Sequence, residues 1–426
     1  MLGTRSSGKS FDIPKQLIWD AYQKVRDNKG AAGVDRQTLE DFAQDEKNNL
    51  YKIWNRMSSG TYFPPPVRAV AIPKADGGVR MLGVPTVADR IAQTAVAMVL
   101  ETRVEPLFHP DSYGYRPERS ALDAVGTCRL RCWRAAWVID LDIRGFFDNV
   151  PHAPILWAVE QHAPAPWVVL YVRRWLTAPI QHPDGTLVVP DRGTPQGSAI
   201  SPLLANLFMH YAFDAWLGRT HRRVRFERYC DDVIVHCSTQ KQARYIRDVI
   251  AARLGRYGLQ LHPDKTKIVY CYQDGRPTQP GWGTEFTFLG YTFRPRPVGR
   301  TDGHRKTGFL PAVSKSACKA MSRVIRGWRI GRRTDLSFVE VATMINRIVT
   351  GWINYYGRFY KSLLIAFLSQ RINPHLVKWA CRKHKHLHRA PAKARTRLAQ
   401  IAILYPGMFA HWRHGARPSG STTGAV

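Results

Sequence analysis

Two adjacent aspartates, Asp231 and Asp232, interrupt an apolar and aromatic stretch that spans residues 226–235. Strand-forming residues on both sides of such a pair predict a tight β-hairpin with the acids at its tip. Carboxylates held side by side repel each other, and a divalent cation removes that cost. Proteins hold Mg²⁺ through one or two carboxylates together with substrate phosphates. The pair therefore predicts half of a phosphoryl-transfer site, and a solvated acidic turn is the alternative.

A second acidic segment lies upstream, in residues 137–148, where an apolar strand pattern contains Asp140 and Asp142. A strand places residues two positions apart on the same face, so both acids are expected to point the same way. Between the two acidic segments, residues 193–202 predict a turn that opens an apolar helix, with Ser201 as its expected N-cap. The three segments together are far more specific than any one alone, and they disfavour the solvated turn.

In this order, the acidic strand, the Pro-Gln-Gly turn and the Asp-Asp hairpin resemble the palm of a reverse transcriptase. The resemblance covers residues 11–415 and identifies the chain as a member of the group II intron reverse transcriptase/maturase family. Residues 28–35 resemble its N-terminal extension, and residues 286–293 resemble its primer-grip strand. The implied fold is α/β (α+β): a right-hand polymerase with fingers and an antiparallel-sheet palm, followed by an α-helical thumb/maturase domain.

The resemblance and the composition divide the chain into four parts. Residues 1–60 are expected to form a helical extension, and residues 61–298 the fingers and palm. A change to proline, glycine and arginine over residues 294–305 indicates a domain boundary. Residues 299–375 are then expected to form the helical thumb/maturase domain. Residues 376–426 form a basic candidate DNA-binding segment that ends in a disordered tail.

The resemblance implies that Asp142, Asp231 and Asp232 are the catalytic carboxylates. Together with Ile143 they are the expected ligands of two Mg²⁺ ions, for which Mn²⁺ can substitute. Asp142 is preferred over Asp140 because the family carries an aromatic residue five positions after its catalytic acid. The role of Asp140 stays open.

A second group of residues is expected to bind the incoming dNTP. Lys74 and Arg80 flank an Asp-Gly-Gly hairpin turn and offer two cations to a triphosphate, although solvated surface charges are the alternative. By resemblance, Phe147 lies under the sugar and excludes a 2′-hydroxyl group. A core position is its alternative, for which Phe146 is the stronger candidate. The complete set is Lys74, Arg80, Phe147, Gln196 and Lys265.

The net charge of +31 favours a polyanionic partner. Glu340 is the last acid, and only neutral and basic residues follow it, which indicates a phosphate-binding surface. Two helices are predicted there, over residues 338–351 and 352–371, and a helical core is the alternative role for their aromatic residues. The expected nucleic-acid contacts are Tyr229, Gly290, Trp352, Tyr355, Tyr356, Arg358, Lys361, Arg382, Lys383, Lys385, Trp412 and Arg413.

The implied partners are group II intron RNA, an RNA template with a DNA primer, dNTPs and target DNA. No apolar run of about 18 residues and no charged-then-apolar leader is present, so no membrane partner is expected. Seven cysteines without a CxxC pair indicate reduced thiols. We therefore expect a cytoplasmic, bacterial protein associated with nucleic acid, and its oligomeric state stays open.

Two departures from the family are visible. Cys230 stands where intron-encoded members usually carry alanine, which could alter fidelity, nucleotide use or speed. No C-terminal cluster of paired cysteines with His-Asn-His character is present, so we expect no DNA endonuclease and a primer taken from nicks or replication forks.

Three functions stay open. The first is a polymerase that also helps its intron splice. The second is a domesticated polymerase in DNA repair or phage defence. The third is a non-enzymatic RNA-folding splicing factor, which the complete acid set together with Lys74, Arg80 and Gln196 disfavours.

Overall fold

The computed structural model describes residues 11–73, 78–299 and 305–418, with the backbone alone at Arg305. The predicted nucleotide contact Lys74 and the predicted disordered tail, residues 419–426, lie outside these ranges. The helices are α1 (Lys15–Asn28), α2 (Leu39–Gln44), α3 (Glu46–Ser58), α4 (Val87–Val104), α5 (Ala121–Arg134), α6 (Phe146–Asn149), α7 (His152–His162), α8 (Pro166–Leu176), α9 (Ser201–Met209), α10 (Ala215–Thr220), α11 (Gln240–Gly255), α12 (Lys315–Gly327), α13 (Phe338–Tyr356), α14 (Lys361–Lys383), α15 (Pro391–Leu404) and α16 (Ala410–Arg413).

The strands form three sheets, with the orders β2-β1-β4-β5, β6-β7-β3-β8 and β11-β10-β9. This mixture of helices with mainly antiparallel strand pairs agrees with the predicted α+β class. The strands are β1 (Val67–Pro73), β2 (Val79–Val84), β3 (Trp137–Leu141), β4 (Ile180–Gln181), β5 (Leu187–Val188), β6 (Arg225–Tyr229), β7 (Asp232–Cys237), β8 (Lys267–Tyr270), β9 (Phe286–Phe288), β10 (Tyr291–Gly299) and β11 (Arg305–Val313).

The described residues group into two compact units. The first unit takes its residues from Met1–Ser120, Leu141–Val235 and Lys241–Lys267. The second unit takes its residues from Ala121–Asp140, His236–Gln240 and Ile268–Val426. Among the helices of residues 11–73, 78–299 and 305–418, none is both long and apolar enough to cross a membrane.

In the first unit, a short sheet is built on the hairpin of β1 and β2. The two strands are antiparallel from Arg68↔Val84 to Pro73↔Val79, and β1 also pairs in parallel with β4. Helix α4 follows β2 directly and begins at its N-cap Thr86, whose side chain accepts a hydrogen bond from the backbone of Asp89. Helix α1 packs against α4.

In the second unit, the apolar faces of α12 to α16 enclose one core. Leu364, Leu368, Ile372 and Leu376 recur every four residues on α14 and are fully buried. Val377, Trp379 and Ala380 continue the buried face beyond residue 376, so α14 runs unbroken through the predicted domain boundary at residue 375. The predicted boundary between residues 375 and 376 therefore lies inside α14, and α15 and α16 share the same core.

Three local predictions also differ from the structure. Residues 286–293 are two strands, because Leu289 and Gly290 take φ angles of 51° and 79° and form a two-residue hairpin turn. Helix α13 continues to Tyr356 and does not end at residue 351. Ser201 is the first residue of α9, and Ile200 occupies the N-cap position.

Candidate active site

The Asp-Asp pair lies at the turn of the β6–β7 hairpin, as predicted. Strand β6 ends at Tyr229 and β7 begins at Asp232, so Cys230 and Asp231 are the turn residues. Cys230 has a φ of 61°, the left-handed conformation that tight two-residue hairpins use. Burial raises the pKa of the Cys230 thiol to about 12, so this side chain is neutral at physiological pH.

Asp142 directly follows β3 and is held by the segment of residues 261–266. Its backbone oxygen accepts a hydrogen bond of 2.7 Å from the backbone nitrogen of His262. The next residue, Ile143, forms an antiparallel bridge with Leu261. The same segment brings the Lys265 ammonium to 3.7 Å from the Asp142 carboxylate. The backbone pairing therefore places a predicted catalytic acid beside a predicted nucleotide contact.

The Asp142 and Asp231 carboxylates interact electrostatically. Burial raises the pKa of Asp231 above its ordinary value, the negative charge of Asp142 raises it further, and Arg80 lowers it. A carboxylate whose ionisation is opposed by a second carboxylate forms with it an oxygen-donor set suited to a hard divalent cation such as Mg²⁺. Asp232 begins β7 next to this pair and is partly exposed. The donor set therefore fits a metal ion.

A depression in the first unit brings two predicted nucleotide contacts together. Phe147 and Gln196 both line it, with Asp148, Arg192 and residues 81–83 of β2. The Gln196 amide donates a hydrogen bond of 3.3 Å to the Asp148 carboxylate. Phe147 is partly exposed, whereas its neighbour Phe146 is buried in the core, as expected for this pair.

The Pro-Gln-Gly turn is docked tightly against β2. The backbone nitrogen of Gly83 donates a hydrogen bond of 2.7 Å to the Gln196 backbone oxygen. Gly197 has a φ of 109°, and a Cβ atom there would lie 2.6 Å from the Gly83 oxygen. Position 197 therefore requires glycine for both its conformation and its space.

Comparison with known proteins shows the family of this chain. Residues 72–293 match the reverse transcriptase (RNA-dependent DNA polymerase) family, and residues 318–397 match the group II intron, maturase-specific domain. The chain belongs to the group II intron reverse transcriptase/maturase family. This confirms the predicted family, its right-hand fold class and its enzyme class, RNA-directed DNA polymerase. Members of this family use divalent metal ions and act on RNA and DNA.

Curated relatives are similar over much of the chain. Protein YkfC of Escherichia coli is 33% identical over 301 residues, which are 62% of this chain and 74% of YkfC. Group II intron-encoded protein LtrA of Lactococcus lactis is 34% identical over 267 residues, which cover 62% of this chain. The aligned part is 43% of LtrA, so this reverse transcriptase matches less than half of that relative's length.

The reverse transcriptase contains a buried ion pair behind the acidic hairpin that the sequence analysis missed. Arg228 and Asp214 are both fully buried, and two guanidinium nitrogens donate to the Asp214 carboxylate at 2.8 and 2.6 Å. The remaining donors reach Asn206 at 2.8 Å, Ser112 at 2.7 Å and the Cys230 backbone oxygen at 3.0 Å. An arginine inside an apolar strand, three positions before a predicted catalytic acid, was the available signal.

A second buried network was missed on α4. Asp89 and Gln93 are each 1% exposed. Burial raises the pKa of Asp89 to about 6, and its hydrogen bonds from Trp175, Tyr62 and Gln93 oppose that shift. In the sequence, the only indication was an acid and an amide, Asp89 and Gln93, placed one helical turn apart on an otherwise largely apolar helix.

The predicted aromatic contacts of the maturase region are tied into the second unit. Trp352 stacks on Trp328 with ring centroids 5.7 Å apart. The Tyr355 hydroxyl donates to the Leu289 backbone oxygen at 2.9 Å. A Cβ atom on Gly290 would lie 3.0 Å from the Tyr356 hydroxyl, so a tyrosine ring of the same unit closely approaches this predicted nucleic-acid contact. These rings have structural roles and keep only part of their surface exposed.

Trp412 contradicts its predicted role as a nucleic-acid contact. Its side chain is fully buried in the core of the second unit and packs against Phe338 and Phe409. Its indole nitrogen donates to the Asn373 side chain at 3.1 Å. The prediction is wrong because an aromatic residue in a basic segment can equally serve the core, and local sequence does not distinguish the two.

The predicted cationic contacts are at the surface of the second unit. Three of them have partners: Lys361 contacts the His414 ring at 2.9 Å, and Arg382 and Lys383 donate to backbone oxygens at 2.9 and 2.6 Å. All of these predicted cations are exposed: Arg358, Lys361, Arg382, Lys383, Lys385 and Arg413.

The predicted contact Tyr229 lies in the first unit. It is partly exposed, and its ring centroid lies 6.0 Å from that of Tyr115.

Proposed function

We propose that this protein adds dNTPs to a primer 3′-hydroxyl on an RNA template, using two Mg²⁺ ions. The observation that carries the proposal is the convergence of Asp142 and Asp231 next to Arg80 and Lys265. A divalent cation would offset the repulsion that the Asp142 charge exerts on the Asp231 carboxylate. Cations beside them favour the phosphates of a substrate.

Asp142, Asp231 and Asp232, with Ile143, would hold the ions. Metal ions bound by these residues would supply Lewis-acid activation of the primer hydroxyl and charge stabilisation for the leaving pyrophosphate. Arg80 neutralises the triphosphate from β2, and the catalytic gain comes from positioning and charge neutralisation.

The remaining residues of the site would select and orient the dNTP. Phe147 would exclude a 2′-hydroxyl group, and Gln196, which lines the same depression, would orient the nucleotide. Lys265 adds positive charge next to Asp142. Lys74, which lies outside the described residues, is proposed as a second cation on the hairpin of Arg80.

We also propose that the maturase region binds group II intron RNA and aids splicing, and that target DNA is a further partner. Support comes from the matched maturase-specific domain and from the absence of any acid after Glu340 in the sequence. A positively charged surface gains affinity for nucleic acid because its binding releases the counterions of the phosphate backbone. Of these two relatives, LtrA is named as a group II intron-encoded protein, whereas the name of YkfC mentions no intron.

The test is Asp231→Asn with a primer-extension assay. The substitution keeps the size of the side chain and removes one negative ligand, so extension should fall at least about 1,000-fold while RNA binding stays nearly unchanged. Asp248→Asn is the matched control, because Asp248 is an exposed acid paired with Arg247 on α11, and it should extend normally. Efficient extension by the Asp231→Asn enzyme would contradict the proposed active site.

A further inference from the structure

A polar network inside the first unit connects α4 to the Pro-Gln-Gly turn. The Gln93 side-chain oxygen accepts hydrogen bonds from the Ser198 hydroxyl at 2.6 Å and from the Ala199 backbone nitrogen at 2.9 Å. The Gln93 side-chain nitrogen donates to the Asp89 carboxylate at 2.9 Å. Gln93 therefore bridges the buried acid and the turn.

The direction of this bridge is determined by groups that can only donate. The Ala199 N–H is such a donor, so the oxygen of the Gln93 amide must face the turn. The amide nitrogen must then face Asp89. The other oxygen of Asp89 accepts from the Tyr62 hydroxyl at 3.0 Å and from the Trp175 indole at 2.7 Å. Both Asp89 oxygens therefore act as acceptors.

The bridge ends close to the nucleotide site. Ser198 and Ala199 follow Gln196 and Gly197 directly in the chain. The backbone of Gln196 is already hydrogen-bonded to Gly83 of β2 on one side. Gln93 holds Ser198 and Ala199, so the turn is anchored on both sides of Gly197, and Gln196 is itself one of the anchored residues.

We propose that Asp89 and Gln93 are positioning residues for dNTP binding. Asp89 orients the Gln93 amide, and the amide holds the turn that presents Gln196 to the nucleotide. The inference rests on the proposed function of Gln196. Neither residue touches substrate, because both are buried behind the turn.

The test is Asp89→Asn, which replaces one acceptor oxygen by an NH₂ group. Keeping its oxygen toward Tyr62 and Trp175 preserves two bonds, so the new NH₂ faces Gln93. The Gln93 amide must then reverse, and Ala199 loses its acceptor. One lost hydrogen bond of ordinary strength predicts a KM for dNTP raised about tenfold. The value of kcat should change by less than about threefold, because the catalytic acids lie on other elements.

Two further variants separate positioning from stability. Tyr62→Phe removes one donor on the far side of Asp89 and leaves the amide direction unchanged, so its KM should match the wild type even if its melting temperature falls. Gln93→Leu removes the bridge itself. Adding Asp89→Asn to Gln93→Leu should raise KM no further, because Asp89 acts through Gln93.

The measurement is a dNTP titration of single-nucleotide incorporation on an RNA template with a DNA primer. A wild-type KM in Asp89→Asn would overturn the inference. An equal rise of KM in Tyr62→Phe would also overturn it, since the effect would then follow stability alone. Failure of the proposed function is a different result, in which wild-type enzyme does not extend or Asp231→Asn does.

Discussion

At the scale of single residues, Arg228 illustrates how a buried charge can hold the hairpin that carries the proposed catalytic acids. All five of its N–H donors are used, and one of them reaches the backbone of Cys230, next to Asp231. Burying an ion pair costs desolvation energy, which the pair regains only when its partners are complete. The carboxylate partner, Asp214, lies in the π-helical turn His210–Asp214, an irregularity often found near functional sites.

Arg228→Met should therefore destabilise the protein by about 3–5 kcal/mol, because it leaves the Asp214 carboxylate buried without its charge partner. Urea unfolding of the full chain measures the loss. Arg173→Met is the matched control, since Arg173 and Glu160 form an exposed pair at 3.2 Å, and it should change stability by less than about 1 kcal/mol. Equal effects in the two variants would show that burial of the pair is unimportant.

At the scale of elements, the turn that carries Gln196 depends on close backbone contact with β2. The contact is possible only where a side chain is absent, because the Gly83 oxygen occupies the space of a Cβ atom on Gly197. Gly83 and Gln196, the two residues that the hydrogen bond joins, both line the depression with Phe147. A small displacement of the turn should therefore affect nucleotide binding more than folding.

Gly197→Ala should raise the KM for dNTP at least about tenfold, because the new methyl group pushes the turn off β2 and breaks a hydrogen bond. Gly185→Ala supplies the control: its φ is 88°, but no atom lies within 4 Å of its would-be Cβ. It carries a similar backbone strain of about 1 kcal/mol and should leave KM unchanged. An equal rise of KM in both variants would show that backbone strain, and not the contact with β2, is the cause. An unchanged KM in Gly197→Ala would show that this contact does not affect dNTP binding.

At the scale of the whole molecule, a net charge of +31 makes binding to nucleic acid dependent on salt. The acid-free sequence after Glu340 leaves the cations of α14 and α15 without neighbouring carboxylates in that part of the chain. The aromatic residues predicted to contact RNA there, Trp352, Tyr355, Tyr356 and Trp412, are partly or wholly buried. The exposed cations are therefore expected to carry most of the RNA affinity.

Replacing Arg358 and Lys385 together by glutamine should reduce the slope of log K against log salt by about 1.4–1.8, because each lost phosphate contact removes about 0.7–0.9. Filter binding to group II intron RNA at several salt concentrations measures the slope. Arg247→Gln is the control, since Arg247 is paired with Asp248 at 2.7 Å and should leave the slope unchanged. An unaltered slope in the double variant would place the RNA elsewhere.

The sequence by itself determined the family and much of the local structure. The family is confirmed by the matches over residues 72–293 and 318–397. The position of the β6–β7 hairpin was predicted correctly from the strand-forming residues on both sides of the acids. Tight turns depend on residues a few positions apart, so their signals are present in short segments of the chain.

Only the tertiary structure decided which residues support the site. Gln93 and Ser198 are 105 positions apart, and Arg228 and Ser112 are 116 apart, so no local pattern connects them. The same reason explains Trp412, whose basic neighbours suggested RNA although its ring fills a core. Local sequence therefore determined where the acids lie, and long-range packing decided what holds them, because burial depends on segments that are distant in the chain.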